Sequence, residues 1–212
     1  MPMYVIVLMG LVALLSCLLV CTSLALWRTR LLLRKARRRY GSVMHDVDHY
    51  KNKSERDSLT DAYNAGAIRH IIEHYIQETD SSSGGFVMLD VDYFKQVNDT
   101  LGHQAGDKVL KTVVHTLSAV MRDGDLMGRL GGDEFCVYLP NIGSRRTLTE
   151  FCNRITRVVE ERVKAAVGHQ VTISVGGVMV ADAKDFAALY KHADKALYEA
   201  KEQGRNTCCI SA

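Results

Sequence analysis

The sequence predicts an α/β domain, with helices packed on a mixed sheet, preceded by one transmembrane helix and a short basic linker. Three observations predict it. From about Asp57, apolar strand-like runs alternate with amphipathic helical stretches, without internal repeats. Met3 to Leu26 contains no charged residue. Arg28 to Arg39 then carries seven cations (Arg28, Arg30, Arg34, Lys35, Arg37, Arg38, Arg39) and no acid. The expected boundaries are 1–27 for the anchor, 28–56 for a basic juxtamembrane linker helix and 57–212 for the globular domain.

The chain has 212 residues, enough for one ordinary domain and an appendage. At 47% hydrophobic and 24% charged residues it is not a disordered chain. It has 27 Lys and Arg against 24 Asp and Glu; without the seven clustered cations the balance is 20 against 24. The excess positive charge therefore belongs to one cluster, and a nucleic-acid polymer is not an expected partner.

The uncharged run would span roughly 36 Å as a helix, against a hydrocarbon core of about 30 Å. A cleaved signal peptide would have a basic start and a shorter apolar stretch, so a retained anchor is expected. The flanking cations put everything after it on the cytoplasmic side. The expectation is a single-pass protein of the cytoplasmic (inner) membrane, N-terminus out, with no extracellular sensor domain. Leu33, Ala36, Tyr40, Val43, Val47 and Tyr50 trace a short heptad, read as a dimerising helix in preference to a solvated linker helix. The six cysteines show no metal-binding spacing.

In the globular part, Asp57 to Asp61 reads as a turn with helix-capping residues, and Ala67 to Gln77 as a helix. Ser81 to Gly85 is a loop, and Phe86 to Asp92 a strand that is apolar until its end. Asp107 to Met121 is an amphipathic helix. Leu126–Leu130 and Phe135–Leu139 are strands around Gly131-Gly132. Leu148–Ala166 is a helix, Val171–Val180 a strand and Asp185–Glu202 the last helix.

Chemistry is expected at two strand ends. Asp90 and Asp92 are two apart on a strand, hence on one face unless the following turn separates them. Carboxylates beside an apolar core are costly without compensation, and a divalent cation compensates them. Gly131-Gly132-Asp133-Glu134 puts two more acids at a hairpin tip. Two such clusters in one sheet suit two-metal phosphoryl or nucleotidyl transfer. Asn98 and Asp107 have the donors and acceptors to read a base edge, although Asp107 alternatively caps a helix. Lys201 and Arg205, four apart, fall on one face near the end of the last helix.

With these residues in view, the chain resembles the GGDEF-domain diguanylate cyclases over about Asp57 to Asn206. The matching pieces are Asp57-Ser-Leu-Thr60, Asp90-Val-Asp-Tyr-Phe-Lys-Gln-Val-Asn98-Asp, Gly102-His103 with Gly106-Asp107, Arg129-Leu-Gly131-Gly-Asp-Glu-Phe135, Ser174-Val-Gly176, Ala193-Asp-Lys-Ala-Leu-Tyr198, Ala200-Lys201 and Gly204-Arg205-Asn206. The resemblance implies a polymerase-palm, nucleotidyl-cyclase-like fold with a ferredoxin-like core. It implies condensation of two GTP into cyclic di-GMP and two pyrophosphates by two domains meeting face to face as a homodimer. By position it implies Mg²⁺ ligation by Asp90, the Val91 carbonyl and Asp133. Asp133 would also be the base or metal-bound activator of the 3′-hydroxyl, with Glu134 assisting. It implies guanine recognition by Asn98 and Asp107, with His103 lining the nucleoside pocket. Phosphate contacts would come from Lys95, Lys201, Arg205 and the backbone amides of Tyr93 and Phe94. Five residues separate Asp125 from Gly131, so Arg122 and Asp125 match the family's RxxD product-inhibition site. One departure stands out. The family usually continues Gly-Leu-x-Asn-Arg after Thr60; here Asp61-Ala62-Tyr63-Asn64-Ala65 lacks the arginine, and Asp57 is expected to lose its partner. A non-catalytic cyclic di-GMP or GTP receptor and a membrane scaffold are the competing expectations.

Overall fold

Gly85 to Val91 is apolar on both faces, and such a run becomes a strand covered on both sides. In the computed structural model, which describes Met3 and residues 55–78, 83–183 and 185–211, it is a fully buried central strand, β2 (Gly85–Val91). The other strands are β1 (Tyr63–Asn64), β3 (Leu126–Gly131), β4 (Glu134–Leu139), β5 (Ile173–Met179) and β6 (Cys208–Ile210). The helices are α1 (Ala65–Glu78), α2 (Phe94–Leu101), α3 (His103–Val120), α4 (Arg145–Val167) and α5 (Phe186–Glu202). The sheet order is β1-β3-β4-β2-β5-β6, with β3, β4, β2 and β5 antiparallel to their neighbours and the short edges β1 and β6 added in parallel. The mixed α/β expectation is met.

Alternation along the strands divides the core into two layers. Val87, Leu89 and Val91 of β2, with Phe135, Val137 and Leu139 of β4, pack on α3 and α4. Phe86 and Met88, with Cys136 and Tyr138, pack on α1 and α5. By this parity Asp90 and Glu134 belong to the α1/α5 face. Gly176 sets how closely α5 approaches: a Cβ there would lie 2.2 Å from both the Ala193 carbonyl oxygen and the Leu197 nitrogen. The helix backbone therefore rests directly on β5, and its last turn is carried over the end of β2.

Two boundaries differ from expectation. The cap of α1 is Asn64, whose Oδ1 accepts the Ala67 N–H at 3.0 Å; the 57–61 segment is a separate turn. Helix α3 starts at His103, four residues before the expected Asp107. The expected membrane location is corrected: among the described residues no helix is long and apolar enough to cross a membrane. The apolar run from residue 4, the basic cluster and the heptad at 33–50 lie outside the described residues.

Candidate active site

The register of β2 against β4 places Asp90 directly opposite Glu134, with Asp133 next along the turn. The Val91 N–H donates to the Asp133 carbonyl oxygen at 3.3 Å, fastening the turn to the end of β2. Gly132 turns the chain at φ 39°. Like charges directly opposite on a sheet repel. Burial raises the Asp90 carboxyl above its ordinary value, and Asp133 and Glu134 add to the rise; Lys201 opposes it. Lys201 Nζ lies 2.9 Å from Asp90 Oδ1, whose side chain is only 13% exposed.

Arg205 is not on the helical face that its spacing with Lys201 suggested. Helix α5 ends at Glu202, and Arg205 sits in the following loop with left-handed backbone, φ 66°. The loop nevertheless delivers it to the site: its guanidinium lies 4.6 Å from the centre of the Tyr93 ring. Tyr93 is itself left-handed, φ 55°, and leads into α2 without a side-chain cap. The first amides of α2, those of Phe94 and Lys95, belong to a helix N-terminus without a side-chain cap, and Arg205 lies against the adjoining Tyr93 ring. Lys95 is exposed on the same first turn.

Asn98 is half-buried on α2, and Gly106 is the reason it fits. A Cβ at Gly106 would fall 2.0 Å from Asn98 Oδ1. Because α3 begins at His103, Asp107 lies inside the helix and is exposed. The capping alternative for Asp107 is therefore excluded. Asn98 and Asp107 flank the Gly106 contact, and His103 is exposed at the start of α3.

Asp57 does have a partner, contrary to expectation. Arg129 Nη1 lies 2.9 Å from Asp57 Oδ1, while its Nε and Nη2 donate to the Gly132 carbonyl at 3.0 and 2.6 Å. Asp57 Oδ1 also accepts the Thr60 N–H at 2.9 Å and the Thr60 hydroxyl at 2.6 Å. Burial works against ionisation of Asp57, but the bonds from Thr60 and Arg129 outweigh it and hold the carboxyl below its ordinary value. One arginine thus joins the entry turn to the Gly-Gly hairpin, a role the arginine-less Asn64-Ala65 stretch cannot supply.

Asp92, in the turn just after β2, has other partners than Asp90. Its carboxylate accepts from Thr172, Ser174 and the Asn206 amide. Among the described residues no three His, Cys, Asp or Glu side chains gather into a metal cage. Asp90, the Val91 carbonyl and Asp133, neighbours at this strand end, offer only oxygen donors. Magnesium is commonly held in this way, by one or two carboxylates with substrate phosphates and water completing the shell. The raised Asp90 carboxyl is a charge conflict that a bound dication would relieve. The residues fit the ion.

Arg122 and Asp125 lie elsewhere. They form the turn between α3 and β3, where the Arg122 N–H donates to Asp125 Oδ2 at 2.8 Å. Both line a cleft of about 400 Å³ with Leu139, Phe151 and Arg154. Leu139 pairs with Gly85, at the opposite end of β2 from Asp90. The two sites are therefore separated by five residues of strand, roughly 17 Å. Arg154 carried no signal in the sequence; its place appears only when α4 packs beside the turn.

These features coincide with one sequence family. The profile of the family described as diguanylate cyclase, GGDEF domain, matches residues 54–207. The chain belongs to the GGDEF-domain diguanylate cyclase family. It is 38% identical over 164 residues to the probable diguanylate cyclase DgcT of Escherichia coli, covering 76% of this chain and 36% of that protein. It is 35% identical over 156 residues to the cyclic di-GMP phosphodiesterase PdeR of the same organism, covering 73% and 23%. The chain thus spans about a third or less of the length of these relatives. The crystal structure of the GGDEF domain of DgcB from Caulobacter crescentus, in complex with c-di-GMP, superposes with a TM-score of 0.67 at 26% identity. That match covers 74% of this chain and 93% of that one. The GGDEF fold and the six-stranded mixed sheet stand on these matches together. A relative named as a phosphodiesterase leaves the activity to be argued from the site.

Proposed function

We propose that this GGDEF domain condenses two GTP into cyclic di-GMP with release of two pyrophosphates. The observation that carries the reading is the pairing of Asp90 with Glu134 across β2 and β4, with Asp133 at the adjoining turn and Lys201 on Asp90. Acids and cations meet there at one strand end, beside an uncapped helix N-terminus, as nucleotidyl transfer requires.

In this reading Asn98 and Asp107 bind the guanine edge and His103 lines the nucleoside pocket. Lys95, Lys201, Arg205 and the Tyr93 and Phe94 amides hold the triphosphate. Asp90, the Val91 carbonyl and Asp133 would hold Mg²⁺, which when bound neutralises charge at the phosphates and acidifies the attacking hydroxyl. Asp133 takes the 3′-hydroxyl proton, and Glu134 orients that end of the site. Each domain binds one GTP, but the product needs two 3′-hydroxyl attacks on two α-phosphates. Two copies of the domain therefore meet with opposed sites, as a homodimer. Arg122, Asp125 and Arg154 form a product site whose occupation inhibits synthesis, the fork of Arg122 gripping phosphate or guanine.

Incubating the purified protein with GTP and Mg²⁺, followed by nucleotide chromatography, tests the reading. Cyclic di-GMP should form, and Asp133→Ala should abolish it while leaving the unfolding midpoint close to wild type. Synthesis at the wild-type rate by that variant sinks the site assignment. Binding of GTP and cyclic di-GMP without turnover would establish the receptor reading instead.

A further inference from the structure

Asp92 is 3% exposed, an acid buried in the turn that follows β2. Both of its oxygens are hydrogen-bonded. Oδ1 accepts the Ser174 hydroxyl at 2.7 Å. Oδ2 accepts the Thr172 hydroxyl at 2.6 Å and the Asn206 N–H at 3.2 Å. Its own N–H donates to the Thr172 carbonyl at 2.9 Å. Two of these donors lie on or beside β5, and the third lies in the loop after α5.

That loop needs an anchor. Arg205 and Asn206 are consecutive non-glycine residues with left-handed backbone, φ 66° and 49°. L-residues rarely adopt that conformation, and two in succession persist only when the surroundings impose it. The Arg205 N–H is bonded back to the Ala200 carbonyl at 3.2 Å, and Asn206 Nδ2 donates to Glu160 Oε2 at 2.9 Å. The buried carboxylate of Asp92 takes the Asn206 amide between these two ties. Asp92 also immediately precedes Tyr93, whose ring lies against the Arg205 guanidinium. One residue thus fixes the chain on both sides of that stack.

We propose that Asp92 is a positioning residue for triphosphate binding: its carboxylate clasps the Asn206 amide and so holds Arg205 over Tyr93 at the end of β2. The proposal rests on the reading of Arg205 as a phosphate contact. Asp92 itself touches no substrate. Hydroxyls rotate to donate or accept, whereas the Asn206 amide only donates. The amide introduced by Asp92→Asn can therefore turn its oxygen to Thr172 and Asn206 and its NH₂ to the Ser174 hydroxyl. That variant should keep the clasp, while Asp92→Ala should release it.

The test is equilibrium binding by the full chain of 3′-deoxy-GTP, which lacks the attacking hydroxyl, and of guanosine, which lacks the phosphates. Arg205→Ala and Asp92→Ala should each weaken 3′-deoxy-GTP binding roughly tenfold, the size of one charge-assisted contact, and leave guanosine unchanged. The double variant should bind about as weakly as either single one, because both remove the same contact. Asp92→Asn should stay within about twofold of wild type. Fully additive losses, an equal loss for guanosine, or wild-type binding by Asp92→Ala each overturn the clasp. Wild-type binding by Arg205→Ala removes instead the phosphate role of Arg205, and the proposal falls with it. If Asp92→Ala does not fold, Thr172→Val removes one donor from Oδ2; a roughly threefold loss confined to 3′-deoxy-GTP supports the clasp, and no loss overturns it.

Discussion

Gly106→Ala offers a sharp probe of base recognition, because one methyl group is aimed at one amide. The added Cβ would lie 2.0 Å from Asn98 Oδ1, 3.0 Å from Asn98 Cγ and 3.2 Å from Phe94 Cζ. Ordinary contact begins near 3.4 Å, so the Asn98 oxygen must retreat by more than an ångström. The backbone cannot follow easily, since the Gly102 N–H donates to the Asn98 carbonyl at 2.9 Å and ties α2 to the start of α3. The side chain must therefore rotate away from the proposed base site. A polar contact of this kind is worth about 1–3 kcal/mol, equivalent to a roughly five- to 150-fold rise in the KM for GTP. The effect on stability is smaller, because alanine in a helix interior gains about 0.8–1 kcal/mol over glycine and offsets the crowding. The assay is pyrophosphate release against GTP concentration, with ATP as a competitor. KM for GTP should rise, the ATP inhibition constant should stay level, and the unfolding midpoint should scarcely move. A GTP KM within twofold of wild type in the folded variant would show that Asn98 does not read the base.

Three further outcomes follow from the charges. Burial and the neighbouring acids raise the Asp90 carboxyl, so the fold binds that proton more tightly than the unfolded chain does, and stability falls as pH rises through the raised value. Asp90→Asn should therefore raise the melting temperature at neutral pH while lowering turnover at least about a hundredfold, the reverse of what a structural ion pair would do. Asp57 has the opposite sign. Its lowered carboxyl contributes stability above its ordinary value of 3.8 that is lost as pH falls through the folded-state value, so the stability gap between wild type and Asp57→Ala in urea titrations should close below pH 3.8. Arg122→Ala should raise the inhibition constant of added cyclic di-GMP at least roughly tenfold and leave the initial rate near wild type.

Much of the site was legible before folding because its residues lie at punctuation points. An apolar strand ending in acids, and a glycine pair between two strands, mark themselves in any sequence. The short edge strands β1 and β6 were not legible, at two and three residues, nor was α2, whose eight residues follow the strand directly. What local pattern could not reveal was pairing across the chain. Asp57 meets Arg129 over a separation of 72 residues, and Asp92 meets Thr172 over 80. Asp90 and Asp92 look alike in sequence. They part because α5 brings Lys201 to one, while the edge of β5 and the loop after α5 bring hydroxyls and an amide to the other.

The same strand that gathers the acids also separates the two clefts. Asp90 and Glu134 close one end of the β2–β4 pair, and Gly85 and Leu139 close the other, where Arg122, Asp125 and Arg154 stand. A ligand in the second cleft occupies none of the volume that GTP would take in the first. Inhibition from there cannot be simple competition within one domain. Nor does the fold between them invite a transmitted shift. Every residue of β2 is buried, its two neighbours are antiparallel and in register, and such a strand has few alternative positions. Transmission through β2 would require a second stable register, which would turn its apolar faces over. On the proposed function, the coupling that remains is between domains: synthesis would require the acidic strand ends of two copies to face each other, and a product molecule at this turn would fix how the copies are oriented. Inhibition by cyclic di-GMP should therefore lower turnover while leaving the affinity of each domain for 3′-deoxy-GTP unchanged. An equal loss of 3′-deoxy-GTP affinity on saturating Arg122 and Asp125 with product would place the coupling inside the domain after all.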